Sequence, residues 1–128
     1  MLHIIQNDPE VPPGNLAEIL ADQGVPFQLH HLYRDEVLPT ADDITALIVL
    51  GGAMGANDDD RFPFLSPLKQ LIRSCLSHGI PYLGICLGGQ LLATASGTPV
   101  VSCRWEELGT LQITLTHKGG ADPFFHGI

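Results

Sequence analysis

The sequence predicts an α/β domain built on an open parallel sheet with helices on both faces. Short apolar runs that read as strands alternate with amphipathic stretches that read as helices, and the connections between them are short. The run ITALIVL (44–50) is almost continuously apolar, as befits a central parallel strand covered on both sides. Such alternation implies right-handed crossovers. The chain shows no internal repeat and no low-complexity tract.

Leu2 to Gln6 is an apolar run ended by Asn-Asp-Pro, a buried strand leading into a loop. Asn15 is suited to cap a helix whose apolar stripe is Leu16, Ile19 and Leu20, with Gly24 as its stop. Phe27 to Tyr33 reads as the second strand and Ile44 to Leu50 as the third. The loop Gly51 to Phe64 is rich in Gly and Asp. Pro67 sits where the first turn of a helix tolerates it, and Leu68, Leu71, Ile72, Cys75 and Leu76 follow at spacings of three and four, up to His78-Gly79. Pro81 to Ile85 is expected to be a fourth strand, Leu87 to Ala95 a helix stopped by Gly97, and Thr98 to Ser102 and Leu108 to Thr116 further strands. Lys118 to Ile128 reads as a polar turn followed by DPFFHGI with no closing element, which leaves an apolar sheet edge to be covered.

A chain of 128 residues is expected to form one domain spanning 1–128. Its 45% hydrophobic and 16% charged residues suit a compact core rather than a disordered chain. Six basic and fourteen acidic residues give a net charge of −8. Residues 1–60 hold eleven of the acids and only Arg34 as a base. A nucleic-acid or anionic-membrane partner needs clustered Lys and Arg, so both are excluded. Cys75, Cys86 and Cys103 have neither the number nor the spacing of a disulfide framework or a zinc site. With no leader-like start and no run of the roughly 20 apolar residues a membrane span needs, the expected compartment is a reducing cytoplasm.

The chemistry concentrates in Pro81 to Ala93, PYLGICLGGQLLA. A strand runs into Gly84-Ile85-Cys86-Leu87-Gly88, a G-x-C-x-G version of the nucleophile elbow, in which a sharp turn lifts the nucleophile at the strand's carboxyl end. The glycines are needed because side chains there would strike neighbouring backbone. The following helix points its N-terminus at the sulfur, and a helix N-terminus favours the negative charge of the reactive thiolate. The Leu87 N–H is placed to donate to a developing oxyanion, and Gly51-Gly52, at the end of the neighbouring strand, offers a second backbone donor. Both loops fall at carboxyl ends of strands, where open α/β sheets carry their sites. Cys75, on an apolar helix stripe, and Cys103, in an expected strand, read as core residues.

GGAM (51–54), DDDRFPFL (58–65) and GIPYLGICLGGQLLA (79–93) resemble the class I, Cys-dependent glutamine amidotransferases, particularly the stand-alone group similar to the amidotransferase domain of GMP synthase. HIIQNDPEVPPGNLAEIL, ELGTLQITLT and DPFFHGI follow the same group's order, so the resemblance covers essentially the whole chain. It implies a flavodoxin-like fold and attack of Cys86 on the side-chain amide of L-glutamine. A γ-glutamyl thioester would form, and ammonia would be released for a synthase domain or subunit. Gly52 and Leu87 match the oxyanion-hole positions, and Gln90 the motif glutamine that helps hold the substrate beside Gly51. No cofactor and no metal are implied. Relatives that hydrolyse γ-glutamyl peptides leave that activity as an alternative.

The family completes its site with a His and a Glu one residue apart, beyond the DPxFxG segment, and no His-x-Glu occurs in this sequence. The chain therefore reads as the N-terminal portion of such a domain, its C-terminal part missing. By itself it is expected to be inactive, since loss of a general base costs on the order of 10²–10⁴ in rate. A binding or regulatory module of the same fold is the second alternative. His126 is followed by Gly, as the family's catalytic His often is, but Asp122 to Phe125 place it upstream of that position. His117, His78, His30 and His31 read as surface or structural. Asp58, Asp59 and Asp60 lack the turn that would aim adjacent carboxylates at one ion, and read as a solvated or capping loop. GGAMG lacks the Lys and Ser/Thr of a phosphate loop.

Overall fold

The structure, a computed structural model, describes residues 1–102 and 108–127. Four parallel strands form one sheet: β1 (Leu2–Gln6), β2 (Phe27–His31), β3 (Ala46–Val49) and β4 (Tyr82–Gly84), in the spatial order β2-β1-β3-β4. Ile4 of β1 pairs with Leu29 of β2 and Ile48 of β3, and Ile48 pairs in turn with Leu83 of β4. The helix α1 (Asn15–Asp22) joins β1 to β2 and α2 (Leu65–Ser77) joins β3 to β4, two 3-10 turns lie between β2 and β3, and α3 (Leu87–Ala95) and a short α4 (His117–Gly120) follow β4. The expected open parallel α/β fold is thus present.

Strand alternation splits the core into two layers, because successive side chains leave opposite faces. Ile5, Leu47 and Val49 join Leu65, Leu68 and Ile72 of α2 and Leu87 and Leu91 of α3 on one face. Ile4, Ile48 and Leu50 meet Leu16 and Leu20 of α1 on the other. Each fully buried Leu or Ile contributes roughly 1.5–3 kcal/mol. No helix among the described residues is long and apolar enough to cross a membrane.

Several boundaries differ from the sequence expectation for local reasons. Asn15 does not cap α1. Gly14 holds that position at φ 50°, a left-handed conformation that suits glycine, and no side chain caps the helix. Ile19, expected on the buried stripe of α1, is 57% exposed, as is Leu76 of α2 at 39%. The second strand ends at His31 rather than Tyr33 because Leu32–Arg34 tightens into a 3-10 turn closed by Asp35 at φ 58°. The third is confined to Ala46–Val49 and the fourth to Tyr82–Gly84, where their neighbours supply pairing.

The larger correction concerns the distal segments. Neither Thr98–Ser102 nor Leu108–Thr116 forms a strand, and Leu111 and Ile113 are 65% and 83% exposed. Pro99 deprives the first segment of a ladder donor. The second has the alternation of a strand but no partner strand among the described residues, so no ladder holds it extended. The THKGG turn is helical, capped by the Thr116 hydroxyl accepting from the Gly119 N–H. Cys103, Trp105, Glu106 and Glu107 lie outside the described residues.

His3 and His30 form a buried pair on the sheet, with Nδ1 of His3 and Nε2 of His30 2.8 Å apart and rings stacked at 5.1 Å. Burial pushes both imidazoles below the ordinary value of 6.5. A group held neutral in the fold contributes stability that is fully present above its unfolded pKa and is lost as the pH falls through the lower folded value. The unfolding free energy should therefore drop as the pH goes from 6.5 towards 5, and His3→Phe with His30→Leu should flatten that drop. An equally steep fall in the double variant would assign it to other groups.

Candidate active site

The residues singled out around Cys86 converge at the carboxyl ends of β3 and β4. β4 ends at Gly84, and Cys86 occupies the N-cap of α3 at φ 54°, ψ −110°. Of the described residues other than glycine, only Asp35 shares a positive φ. A cysteine in this region costs on the order of 1–3 kcal/mol, so the surrounding packing must impose it. The turn leaves Cys86 exposed, whereas Cys75 is fully buried on α2 and burial pushes its thiol up.

The imposing contacts are made by the glycines. A Cβ on Gly84 would run into the backbone of Gly88 and Gly89, and one on Gly88 into the carbonyl of Val49. The strand end, the first turn of α3 and β3 are thus in backbone contact, which sends the chain over Cys86. The Ile85 N–H donates to the Val49 carbonyl at 3.0 Å, and the Gly88 N–H to the Ile85 carbonyl at 3.0 Å. Tyr82 adds a clamp, its hydroxyl donating to the Gly88 carbonyl at 2.8 Å, and burial pushes its phenol well above the usual range.

Gly51 and Gly52 lie against this elbow. A Cβ on Gly51 would sit 3.3 Å from that of Cys86, and one on Gly52 3.3 Å from Leu87 Cδ2 and 3.4 Å from Asp8 Cβ. Neither the Gly52 nor the Leu87 N–H meets a backbone acceptor among the described residues, while the N–H groups of Gly88, Gly89 and Gln90 are all bonded. Gln90, one turn along α3, is exposed, with its N–H on the Cys86 carbonyl at 3.2 Å.

Asp8 is a site residue that the sequence pattern does not single out, although it follows directly on β1. Its carboxylate accepts the Ala53 N–H at 2.9 Å and the Glu10 N–H at 2.9 Å, tying the Gly51-Gly52 loop to the end of β1. These two bonds hold its carboxyl below the usual carboxylate range. The signal that could find it is its place at the carboxyl end of a parallel strand.

The other candidates lie apart from this constellation. No hydrogen bond joins Cys86 to a histidine among the described residues. His78 caps α2, its ring on the Ser74 carbonyl, and His31 meets the Tyr33 hydroxyl. His117 and His126 are exposed, and His30 belongs to the buried pair. Asp58 accepts the Gly55 N–H at 2.7 Å within the loop, and Asp59 pairs with Lys69 at 2.7 Å and so braces the loop against α2.

Comparisons with known proteins bear on the family of the chain. Residues 14–127 match the family described as glutamine amidotransferase class-I. The putative glutamine amidotransferase-like protein YfeJ of Salmonella typhimurium is 28% identical over 126 residues, covering 95% of this chain and 53% of that protein. The glutamine-hydrolyzing GMP synthase of Rhodopseudomonas palustris is 33% identical over 101 residues, covering 79% of this chain and 18% of that one. The crystal structure of SMU.1228c superimposes with a TM-score of 0.88 at 28% identity, covering 98% of this chain and 56% of that chain. The chain spans about half the length, or less, of the curated relatives it matches. With the family match running through the elbow and over most of its length, the chain belongs to the class I glutamine amidotransferases.

Proposed function

We propose that Cys86 is the nucleophile of a glutamine amidotransferase and that its substrate is the side-chain amide of L-glutamine. The observation that carries this reading is the strained, exposed cysteine at φ 54°, held at a helix N-terminus between close-packed glycines. Strain of this kind persists where function requires it. The sulfur bonds to the carboxamide carbon, and the Gly52 and Leu87 N–H groups donate to the oxygen as it gains charge. The C–N bond then breaks, and ammonia leaves carrying the proton that the thiol gave up. Water cleaves the γ-glutamyl thioester to glutamate and restores the thiol. Asp8 acts as a positioning residue for the Gly52 donor, and Gln90 lies one turn along α3 to help hold glutamine.

The likeness to a glutamine-hydrolyzing GMP synthase supports delivery of the ammonia to a synthase domain or partner. Shuttling the proton requires a base, and in the family a His and a Glu supply it. The 128 residues alone therefore acylate slowly, and full turnover belongs to a protein that carries both groups. Incubation with L-glutamine followed by intact-mass measurement tests the assignment. A gain of one γ-glutamyl group is expected at Cys86 and none in Cys86→Ser, and a gain that survives in Cys86→Ser would overturn it.

A further inference from the structure

A pocket of about 320 Å³ opens at the carboxyl end of the sheet, and none of Cys86, Gly52 or Leu87 lines it. In the order β2-β1-β3-β4 the chain passes from β1 to β2 on one side and then crosses to β3 on the other, so the winding reverses between β1 and β3. Open α/β sheets bind ligands in the crevice at such a reversal. The pocket lies there: Asp8 and Pro9 follow β1, Ala53 and Met54 follow β3, and all four line it. Its size suits a small molecule.

The lining defines what it accepts. Leu32, Met54, Phe62 and Phe64 make most of it apolar, and its charged groups are the carboxylates of Asp8 and Asp35 and the guanidinium of Arg61. The N–H groups of Ala53 and Glu10 hold the Asp8 carboxyl below the usual range, so it is ionised at neutral pH. Asp35 closes the turn after β2 and is exposed. Arg61 stands over the Phe62 ring at 5.7 Å and forms no ion pair among the described residues, which leaves its planar fork open to a carboxylate. An anion entering this pocket meets two like charges, and a cation meets one. A zwitterion finds an opposite charge for each of its ends, and specificity of this kind comes as much from what is repelled as from what is attracted.

We infer that the pocket between β1 and β3 binds a zwitterion on an apolar body, a free α-amino acid with a large apolar side chain. Its ammonium pairs with Asp35, to which Asp8 adds negative charge, its carboxylate pairs with Arg61, and its side chain lies on Leu32, Met54 and Phe62. Met54 also packs on Gly52, because a Cβ built on Gly52 would come up against Met54 Sδ. Pressure on Met54 from the pocket therefore reaches the Gly52 backbone, which makes the occupant an effector of the elbow. The binding is independent of Cys86, whereas the effector role rests on the proposed reading of Gly52 as an oxyanion donor.

L-Phenylalanine is the probe, with phenethylamine lacking its carboxylate and hydrocinnamate lacking its ammonium, each titrated into the protein and followed by backbone-amide NMR. L-Phenylalanine is expected to bind about tenfold tighter than either analogue, since each has lost a hydrogen bond between charged groups. Arg61→Gln should bring L-phenylalanine down to the level of phenethylamine without weakening that amine. Asp35→Asn, which keeps a residue type tolerant of a left-handed backbone, should weaken L-phenylalanine and phenethylamine but not hydrocinnamate. Both positions are exposed, so the fold survives either change. Either analogue binding as tightly as L-phenylalanine, or an unchanged affinity in Arg61→Gln, would overturn the inference. The amide resonances of Ala53, Met54 and Gly52 should move together on binding, and a Gly52 resonance that stays in place would overturn the effector role. A protein that binds L-phenylalanine in this way yet takes no γ-glutamyl group from glutamine loses the role of Cys86 and keeps the pocket.

Discussion

Iodoacetamide should alkylate Cys86 on the order of 100-fold faster than Cys75, because a buried thiol reacts only when the fold opens locally. Cys86 stands exposed at the N-cap of α3, whereas Cys75 is fully buried and its thiol is pushed up by that burial. Peptide mapping by mass spectrometry after short exposures reads the two rates separately. Unfolding in denaturant should bring them together, since only the fold distinguishes the two sulfurs. Equal rates in the native protein would mean that the elbow does not present Cys86 as described.

Gly88→Ala should destabilise the domain by more than about 3 kcal/mol, at or beyond the usual upper range for overpacking. The added methyl would strike the Val49 carbonyl, a main-chain atom of the central strand that no rotamer change can move aside. Relief would require separating α3 from β3 and so dismantling the turn that holds Cys86. Gly97 provides the control. It sits at φ 81° and a Cβ added there would meet nothing within 4 Å. Gly97→Ala should therefore cost only the roughly 1–2 kcal/mol of a left-handed alanine. Urea titration of both variants measures the difference, and equal losses would show that close backbone contact is not what fixes the elbow.

The parts of this molecule that are legible in the sequence are those whose signals are local. The apolar runs of β1 and β3, the three-and-four spacing on α2 and the glycines around Cys86 each carry their structural meaning within a few residues. Gly84 and Gly88 are four apart on opposite sides of one turn, and the sterics of that turn alone require them. Leu108 to Thr116 misleads because alternation reports that a segment is able to pair, not that a partner is at hand. Asn15 has the chemistry of a cap, but Gly14 adopts a positive φ and takes the position instead. Asp8 and Asn7 read locally as no more than the end of a strand. Their roles come from contacts with Ala53 and Leu50, more than 40 positions away, which no local pattern encodes. The His3–His30 pair arises in the same way, from the register that sets β1 beside β2.

The central claim is that the strained cysteine at the β4–α3 turn is the group that attacks glutamine. It is tested most directly by incubating the protein with L-glutamine long enough for slow acylation, quenching in acid, digesting it and locating any γ-glutamyl group by tandem mass spectrometry. The account predicts the modification on the peptide containing Cys86, absent from that of Cys75 and absent when D-glutamine is supplied. An unmodified Cys86 in a protein that nevertheless releases ammonia from glutamine would contradict it.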